Sequence, residues 1–168
     1  LKEMLSLSPN GTHFAMEPIP DLYKQLIQSF DELPNVYIHD VALSEKKGAS
    51  SFQHVVSNPG YSGLKQRRYD RPNEEIQEIE VKTDLLDNLI PDDVQIAFIK
   101  VDVEGAELLA LKGMREILQA HKPLLIVEVT DKYLHQFGTS ATMLLAHMKE
   151  LGYSAYVIQE PYLELISE

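Results

Sequence analysis

Carboxylates at the ends of apolar runs are the side chains of this sequence best suited to chemistry. The largely apolar run at residues 96–101 ends in Asp102, with Glu104 two residues later, and the run at residues 124–127 ends in Glu128. Grouped acids either raise the pKa of one member enough to make a general base or hold a hard divalent cation through oxygen atoms. Two acids separated by one residue are not a diagnostic metal pattern, so the cation is the less favoured alternative. We therefore predict that Asp102, Glu104 and Glu128 form the catalytic group, and the alternative for Glu128 is that it shapes the pocket floor or bonds to backbone.

Two further acids accompany strand patterns earlier in the chain. Glu17 follows the short candidate strand at residues 12–16, and Asp40 lies within the candidate strand at residues 36–43. Any one acid is weak evidence, because such residues often only cap helices or face solvent. In an open α/β sheet, however, ligands bind at the carboxyl ends of the strands, so several acids at one edge indicate a site.

The elements that must position these acids alternate between strand and helix patterns. The run at residues 96–101 is typical of a strand buried on both faces, and apolar spacing after Asp102 predicts a helix that continues to about His121. Residues 51–56 and 79–81 predict an antiparallel pair, and residues 154–158 and 162–166 predict another that closes the chain. We therefore predict an α/β fold, a Rossmann-like three-layer sandwich with a mostly parallel sheet and an antiparallel C-terminal strand, in a single domain over residues 1–168.

Residues 57–73 form the least regular stretch, inside a loop excursion at about residues 50–80. They contain two glycines, two prolines, two tyrosines and a basic cluster of Lys65, Arg67, Arg68 and Arg71. Long loops of this kind are often lids or binding loops, and the alternative is a surface loop with solvated charges. On the first interpretation Tyr61, Arg67 and Arg68 bind substrate.

Composition excludes several classes of function. The chain has 168 residues, of which 44% are hydrophobic and 24% charged, and this fits one domain with a core. Its net charge of −11 disfavours nucleic acid as a partner. It has no cysteine, so thiol nucleophiles and thiolate zinc sites are excluded and a reducing compartment fits. No apolar run is long enough to span a bilayer. We expect a cytoplasmic protein with a small-molecule partner, and oligomer formation stays open.

Several segments together resemble one enzyme family. FIKVDVEGAELLALKGM at residues 98–114, followed by KPLLIVEV at residues 122–129, resembles the core motif of the FkbM-type methyltransferases, which are class I enzymes dependent on S-adenosylmethionine. Three further segments resemble the family and follow in the same order: FAMEP at residues 14–18, NVYIHDVALSEKKG at residues 35–48 and VKTDLLDNL at residues 81–89. The ten-residue run IKVDVEGAEL is a specific signal, unlike a lone glycine pattern.

The resemblance implies a role for individual residues. Glu17 matches the acid after the second strand that holds the ribose hydroxyls of the cofactor, and a carboxylate can accept hydrogen bonds from both hydroxyls. Asp40, Val41 and Ala42 match the region that flanks the adenine, although Asp40 also fits a simple turn cap. Asp102, at the end of the fourth strand, is the best candidate to face both the methionine end of the cofactor and the acceptor. The resemblance favours this role over the alternative, a plain helix cap.

The sequence departs from the family at one place. The family's first strand and its glycine-rich cofactor loop precede the opening helix, and none of the eight glycines here supplies that pattern after a strand. Because every other element is present in order, we expect a chain that is truncated at its N-terminus and lacks the first strand. Completion by another chain and a degenerate protein without cofactor binding are the alternatives.

The resemblance predicts methyl transfer from S-adenosylmethionine to a hydroxyl group of a sugar or other small-molecule acceptor. The alternative from another class is a non-catalytic binding or interaction module with the same fold and no cofactor. A second alternative is a nicotinamide-dependent dehydrogenase. It also needs a glycine-rich fingerprint, so the absence of that pattern does not favour it over a methyltransferase. We further expect Glu107 to be an exposed helix charge and none of the histidines to act as a catalyst.

Overall fold

A computed structural model of the chain describes residues 1–66, 74–159 and 162–166. The described helices are α1 (Lys2–Leu7), α2 (Pro20–Phe30), α3 (Leu86–Leu89), α4 (Glu107–Lys112), α5 (Arg115–His121), α6 (Asp131–Leu134) and α7 (Ala141–Glu150). The described strands are β1 (His13–Met16), β2 (Val36–His39), β3 (Ala42–Leu43), β4 (Gly48–Val55), β5 (Ile76–Asp84), β6 (Phe98–Val101), β7 (Leu124–Val127), β8 (Tyr156–Gln159) and β9 (Tyr162–Leu165). No helix in these ranges has the length and apolar character that a membrane crossing requires.

The described strands form four small sheets. Strands β1 and β2 pair in parallel, as do β6 and β7, while β5 lies between the parallel strand β3 and the antiparallel strand β4. Strands β8 and β9 form an antiparallel pair at the end of the chain. The predicted α/β class with mostly parallel strands and an antiparallel C-terminal strand is therefore confirmed. Among the described residues β1 and β6 share no hydrogen-bonded ladder.

The strand predicted at residues 36–43 is divided in the structure. Strand β2 ends at His39, and after Asp40 and Val41 the chain changes partner, so that Ala42 pairs with Thr83 of β5. The predicted antiparallel excursion is confirmed and is longer than expected, because β4 pairs with β5 over its full length.

The main core lies between α4, α5, α7 and one face of β6 and β7. Its buried side chains include Leu111, Met114 and Leu118, and Ile99 and Leu125 pack against them from the strands. The opposite face of the same strands is exposed, with Phe98 at 38% and Leu124 at 68%. The prediction that the strand at residues 96–101 is buried on both faces is therefore wrong.

The single helix predicted after Asp102 is also interrupted. It divides into α4 and α5 at Gly113, where a Cβ atom would lie only 2.0 Å from the carbonyl oxygen of Ser44. Because Gly113 has no side chain, the two backbones can approach closely here, and the helix is interrupted at this residue. The periodicity of apolar residues does not reveal such a contact, because Ser44 is distant in the chain.

The start of α5 depends on a side chain from α3. Asp87 accepts hydrogen bonds from the backbone N–H groups of Glu116 and Ile117, both at 3.0 Å, and so replaces a local N-cap. We expect Asp87→Ala to lower the free energy of unfolding by about 1–2 kcal/mol, because capping groups contribute this much. Urea denaturation measures the loss, and Asp92→Ala, in the turn that follows α3, is the control. An unchanged unfolding midpoint in Asp87→Ala would contradict this role of Asp87.

Candidate active site

Glu17 stands at the carboxyl end of β1, beside the end of β2. Met16 is paired with His39, and the Glu17 N–H donates to the carbonyl oxygen of His39 at 3.0 Å. The backbone N–H of Ile19 donates to Glu17 Oε1 at 2.8 Å and so fixes the carboxylate. Partial burial raises the pKa of Glu17, and the hydrogen bond from Ile19 opposes this rise. Within the described residues Glu17 Oε2 accepts no hydrogen bond, and it remains available to a ligand.

Asp40 follows β2 and already has a partner. Lys82 Nζ lies 2.6 Å from Asp40 Oδ2, and this hydrogen bond is the main reason why the pKa of Asp40 is lowered. Val41 and Ala42 are buried at 7% and 8% exposure, so their side chains belong to the core. A ligand beside them would therefore meet backbone atoms and the Asp40–Lys82 pair.

Asp102 and Glu128 stand at the carboxyl ends of the paired strands β6 and β7. Val101 is paired with Val127, and the Glu128 N–H donates to the carbonyl oxygen of Val101 at 3.0 Å. Lys100 Nζ lies 2.6 Å from Asp102 Oδ2, and this ion pair orients the carboxylate near the strand end. Both acids are exposed, as a group that meets a ligand must be.

The loop from Asp102 to α4 has an unusual backbone. Glu104 has a φ of 55° and Gly105 a φ of 104°, so two successive residues adopt positive φ. The N–H of Gly105 donates to Glu107 Oε1 at 2.8 Å, which ties the turn to the first residue of α4. This geometry fixes the direction in which the chain leaves the strand, and with it the position of Glu104.

Glu107 is buried, with 2% of its surface exposed, so the prediction that it is an exposed helix charge is wrong. Burial raises the pKa of Glu107, and the nearby charge of Asp102 acts in the same direction. Its Oε2 atom is buried and has no hydrogen-bond partner among the described residues. The sequence signal for this role is the spacing of Gly105 and Glu107, since an acid in the first helical turn can accept from a preceding backbone N–H.

The same loop packs against two other segments. A Cβ atom on Gly105 would lie 2.8 Å from the carbonyl oxygen of Tyr133 and 3.0 Å from the Phe137 ring. A Cβ atom on Gly63 would lie 3.6 Å from the Cβ atom of Glu104. The loop that carries Asp102 and Glu104 therefore packs against the segments that follow β4 and α6.

A cavity of about 340 Å³ opens beside these segments. Side chains from five parts of the chain line it, among them Ser44, Lys46, Lys65, Thr83, Leu109 and Phe137. Sequence reasoning selected none of them individually, although the basic loop pointed to Lys65. Tyr61 lies nearby in sequence, in the 3₁₀ turn Pro59–Tyr61, while Arg67 and Arg68 lie outside the described residues.

The side chains at the strand ends differ in their fitness for a cofactor and for a metal. A carboxylate with one fixed and one available oxygen, as at Glu17, fits the diol of a ribose, which offers two hydroxyl donors. In the described ranges no three acids or histidines are grouped closely enough to hold a metal ion.

Comparison with known proteins identifies the family. Residues 4–155 match the sequence profile of the methyltransferase FkbM domain. The fold is similar to the crystal structure of methyltransferase FkbM from Methylobacillus flagellatus KT, with a TM-score of 0.57 and 16% sequence identity. That similarity covers 98% of this chain and 38% of the other, so the chain spans well under half of its structural neighbour. No curated protein matches significantly in sequence. The profile covers most of the chain, which therefore belongs to the FkbM methyltransferase family.

Proposed function

We propose that the chain binds S-adenosylmethionine and transfers its methyl group to a hydroxyl oxygen of a sugar or other small-molecule acceptor. The observation that carries the proposal is Glu17, whose carboxylate is fixed through one oxygen at the end of β1 and presents the other. Family membership supplies the methyl-transfer class. Asp40, Val41 and Ala42, on the neighbouring segment after β2, are the proposed adenine contacts.

In the proposed reaction the sulfonium of the bound cofactor supplies an activated methyl group. Methyl transfer to a hydroxyl oxygen would require the acceptor to give up its proton, which Asp102 would accept. Asp102 is the proposed base because it is exposed at the end of β6 and is oriented by Lys100 at 2.6 Å. Glu104 and Glu128 lie beside it on the following loop and the neighbouring strand, where they add negative charge that favours proton removal.

Replacing Glu17 with alanine tests cofactor binding. We expect Glu17→Ala to weaken S-adenosylmethionine binding about tenfold or more, because hydrogen bonds to a charged acceptor contribute about 1.5–3 kcal/mol. Isothermal titration calorimetry measures the affinity of the 168-residue chain, with Glu80→Ala on β5 as the control. Equal affinities for Glu17→Ala and the unaltered chain would refute the assignment of Glu17.

One observation favours a second candidate, a non-catalytic interaction module. The described parts of β1 and β6 share no ladder, so the edge at which the cofactor would lie is divided between two sheets. The module hypothesis predicts that S-adenosylhomocysteine leaves the unfolding temperature unchanged. The enzyme hypothesis predicts a rise, since a ligand that binds the folded state stabilises it.

The setting of this activity forms part of the proposal. The lack of cysteine fits the reducing cytoplasm, and the net charge of −11 fits a small-molecule partner better than nucleic acid. Residues 1–168 are proposed to act as a single methyltransferase domain, and a divalent cation is not required by the proposed chemistry.

A further inference from the structure

The cavity beside the active-site loop combines polar, basic and apolar surfaces. Ser44, Ser50 and Thr83 bring hydroxyl groups, Lys46 and Lys65 bring ammonium groups, and Leu64, Leu109 and Phe137 bring apolar surface. Its volume of about 340 Å³ suits a molecule of monosaccharide size. Such a lining fits a hydroxylated ligand that also has a less polar face.

The charge of the lining is opposite to that of the chain. The net charge is −11, yet the described residues that line the cavity include two lysines and no carboxylate. Neighbouring lysines are neutralised, since Lys47 pairs with Asp84 at 2.8 Å and Lys112 pairs with Glu45 at 3.4 Å. By contrast, Lys46 and Lys65 form no ion pair with any described acid.

Lys65 is held in place by contacts with neutral groups. Its Nζ donates to the carbonyl oxygen of Gln136 at 2.6 Å and lies 4.9 Å from the centre of the Phe137 ring. An ammonium group has three N–H donors, so these neutral contacts leave capacity for an anion. Lys65 is therefore a positioned cation at the wall of the cavity.

The cavity adjoins the proposed catalytic loop. Phe137 packs beside Gly105, Leu109 belongs to the helix that follows the loop, and Gly63 near Lys65 lies beside Glu104. We propose that this cavity is the acceptor subsite and that the acceptor is a hydroxylated carboxylate, such as a sugar acid, whose carboxylate binds Lys46 and Lys65. This inference rests on the proposed function and adds the charge of the acceptor to it.

A matched pair of sugars tests the inference. Glucuronate and glucose share a ring and differ by a carboxylate, so we expect glucuronate to bind the chain about tenfold more tightly at low salt. Titration followed by ligand-observed NMR measures both affinities. We expect the double variant Lys46→Gln/Lys65→Gln to remove the difference, while Lys24→Gln on α2 preserves it.

Each other outcome contradicts the inference. Equal binding of the two sugars, no measurable binding of glucuronate, or a preference that survives in Lys46→Gln/Lys65→Gln would each overturn it. If the double variant does not fold, the salt dependence of the unaltered chain decides, because the preference must fall as ionic strength rises. Cofactor calorimetry separates this inference from the proposed function, since S-adenosylmethionine binding with no sugar-acid preference removes only the acceptor assignment.

Discussion

Replacing Gly105 with alanine is expected to destabilise the protein by about 3–5 kcal/mol. The first cause is conformational, because Gly105 has a φ of 104°, which residues with a side chain rarely adopt. The second is steric, because the new methyl group would lie 2.8 Å from the carbonyl oxygen of Tyr133. Because the nearest atoms belong to the backbone of Tyr133, the clash cannot be relieved by a side-chain rotation alone. Urea denaturation followed by circular dichroism measures the loss.

Gly138 provides a matched control for Gly105. It also has a positive φ, 69°, but a Cβ atom there would meet nothing within 4 Å. Gly138→Ala therefore carries a conformational cost without a clash, about 1 kcal/mol. The additional loss in Gly105→Ala combines its less favourable φ with the contacts to Tyr133 and Phe137. Equal losses for Gly105→Ala and Gly138→Ala would show that the loop does not pack closely against the segment after α6.

The acids at the strand ends were predictable because two local patterns coincide. A short apolar run predicts a strand, and a polar residue that follows must stand at its carboxyl end. The structure places Glu17, Asp102 and Glu128 at the ends of β1, β6 and β7, and Asp40 directly after β2. The long β4–β5 pair was also predictable, because its apolar and polar residues alternate along both strands.

Features that depend on distant contacts were not predictable. The predicted helix divides at Gly113, where the backbone lies against Ser44. The apolar periodicity of the helix carries no information about this contact. The exposed face of β6 and β7 looks the same in sequence as the buried face, because both carry apolar side chains such as Phe98 and Leu125. The cavity joins side chains from five segments, so only the fold brings Lys46 and Lys65 together.

Glu107 illustrates this difficulty and leads to a strong prediction. A charged residue in a first helical turn usually faces solvent, yet Glu107 is buried and accepts from the buried N–H of Gly105. We expect Glu107→Ala to lower the free energy of unfolding by about 2–4 kcal/mol, because it leaves that N–H without a partner and removes buried side-chain volume. Denaturation at constant pH measures the loss, and Glu116→Ala, exposed on α5, is the control.

The ionisation of Glu107 adds a pH dependence with a defined sign. Burial raises its folded-state pKa above the ordinary 4.5, so the folded state binds the proton more tightly than the unfolded state. Its contribution to stability is therefore complete below pH 4.5 and is lost as the pH rises through the raised value. Glu107→Gln keeps an acceptor for Gly105 and removes the titration. The stability of this variant relative to the unaltered chain should therefore increase over the range from pH 4.5 upward, as the buried carboxyl of the unaltered chain ionises. Glu17 also titrates with a raised pKa, but it is present in both proteins and cancels in the comparison. A stability difference that stays constant over this range would mean that Glu107 is solvated, and that it does not fix the loop carrying Asp102 and Glu104.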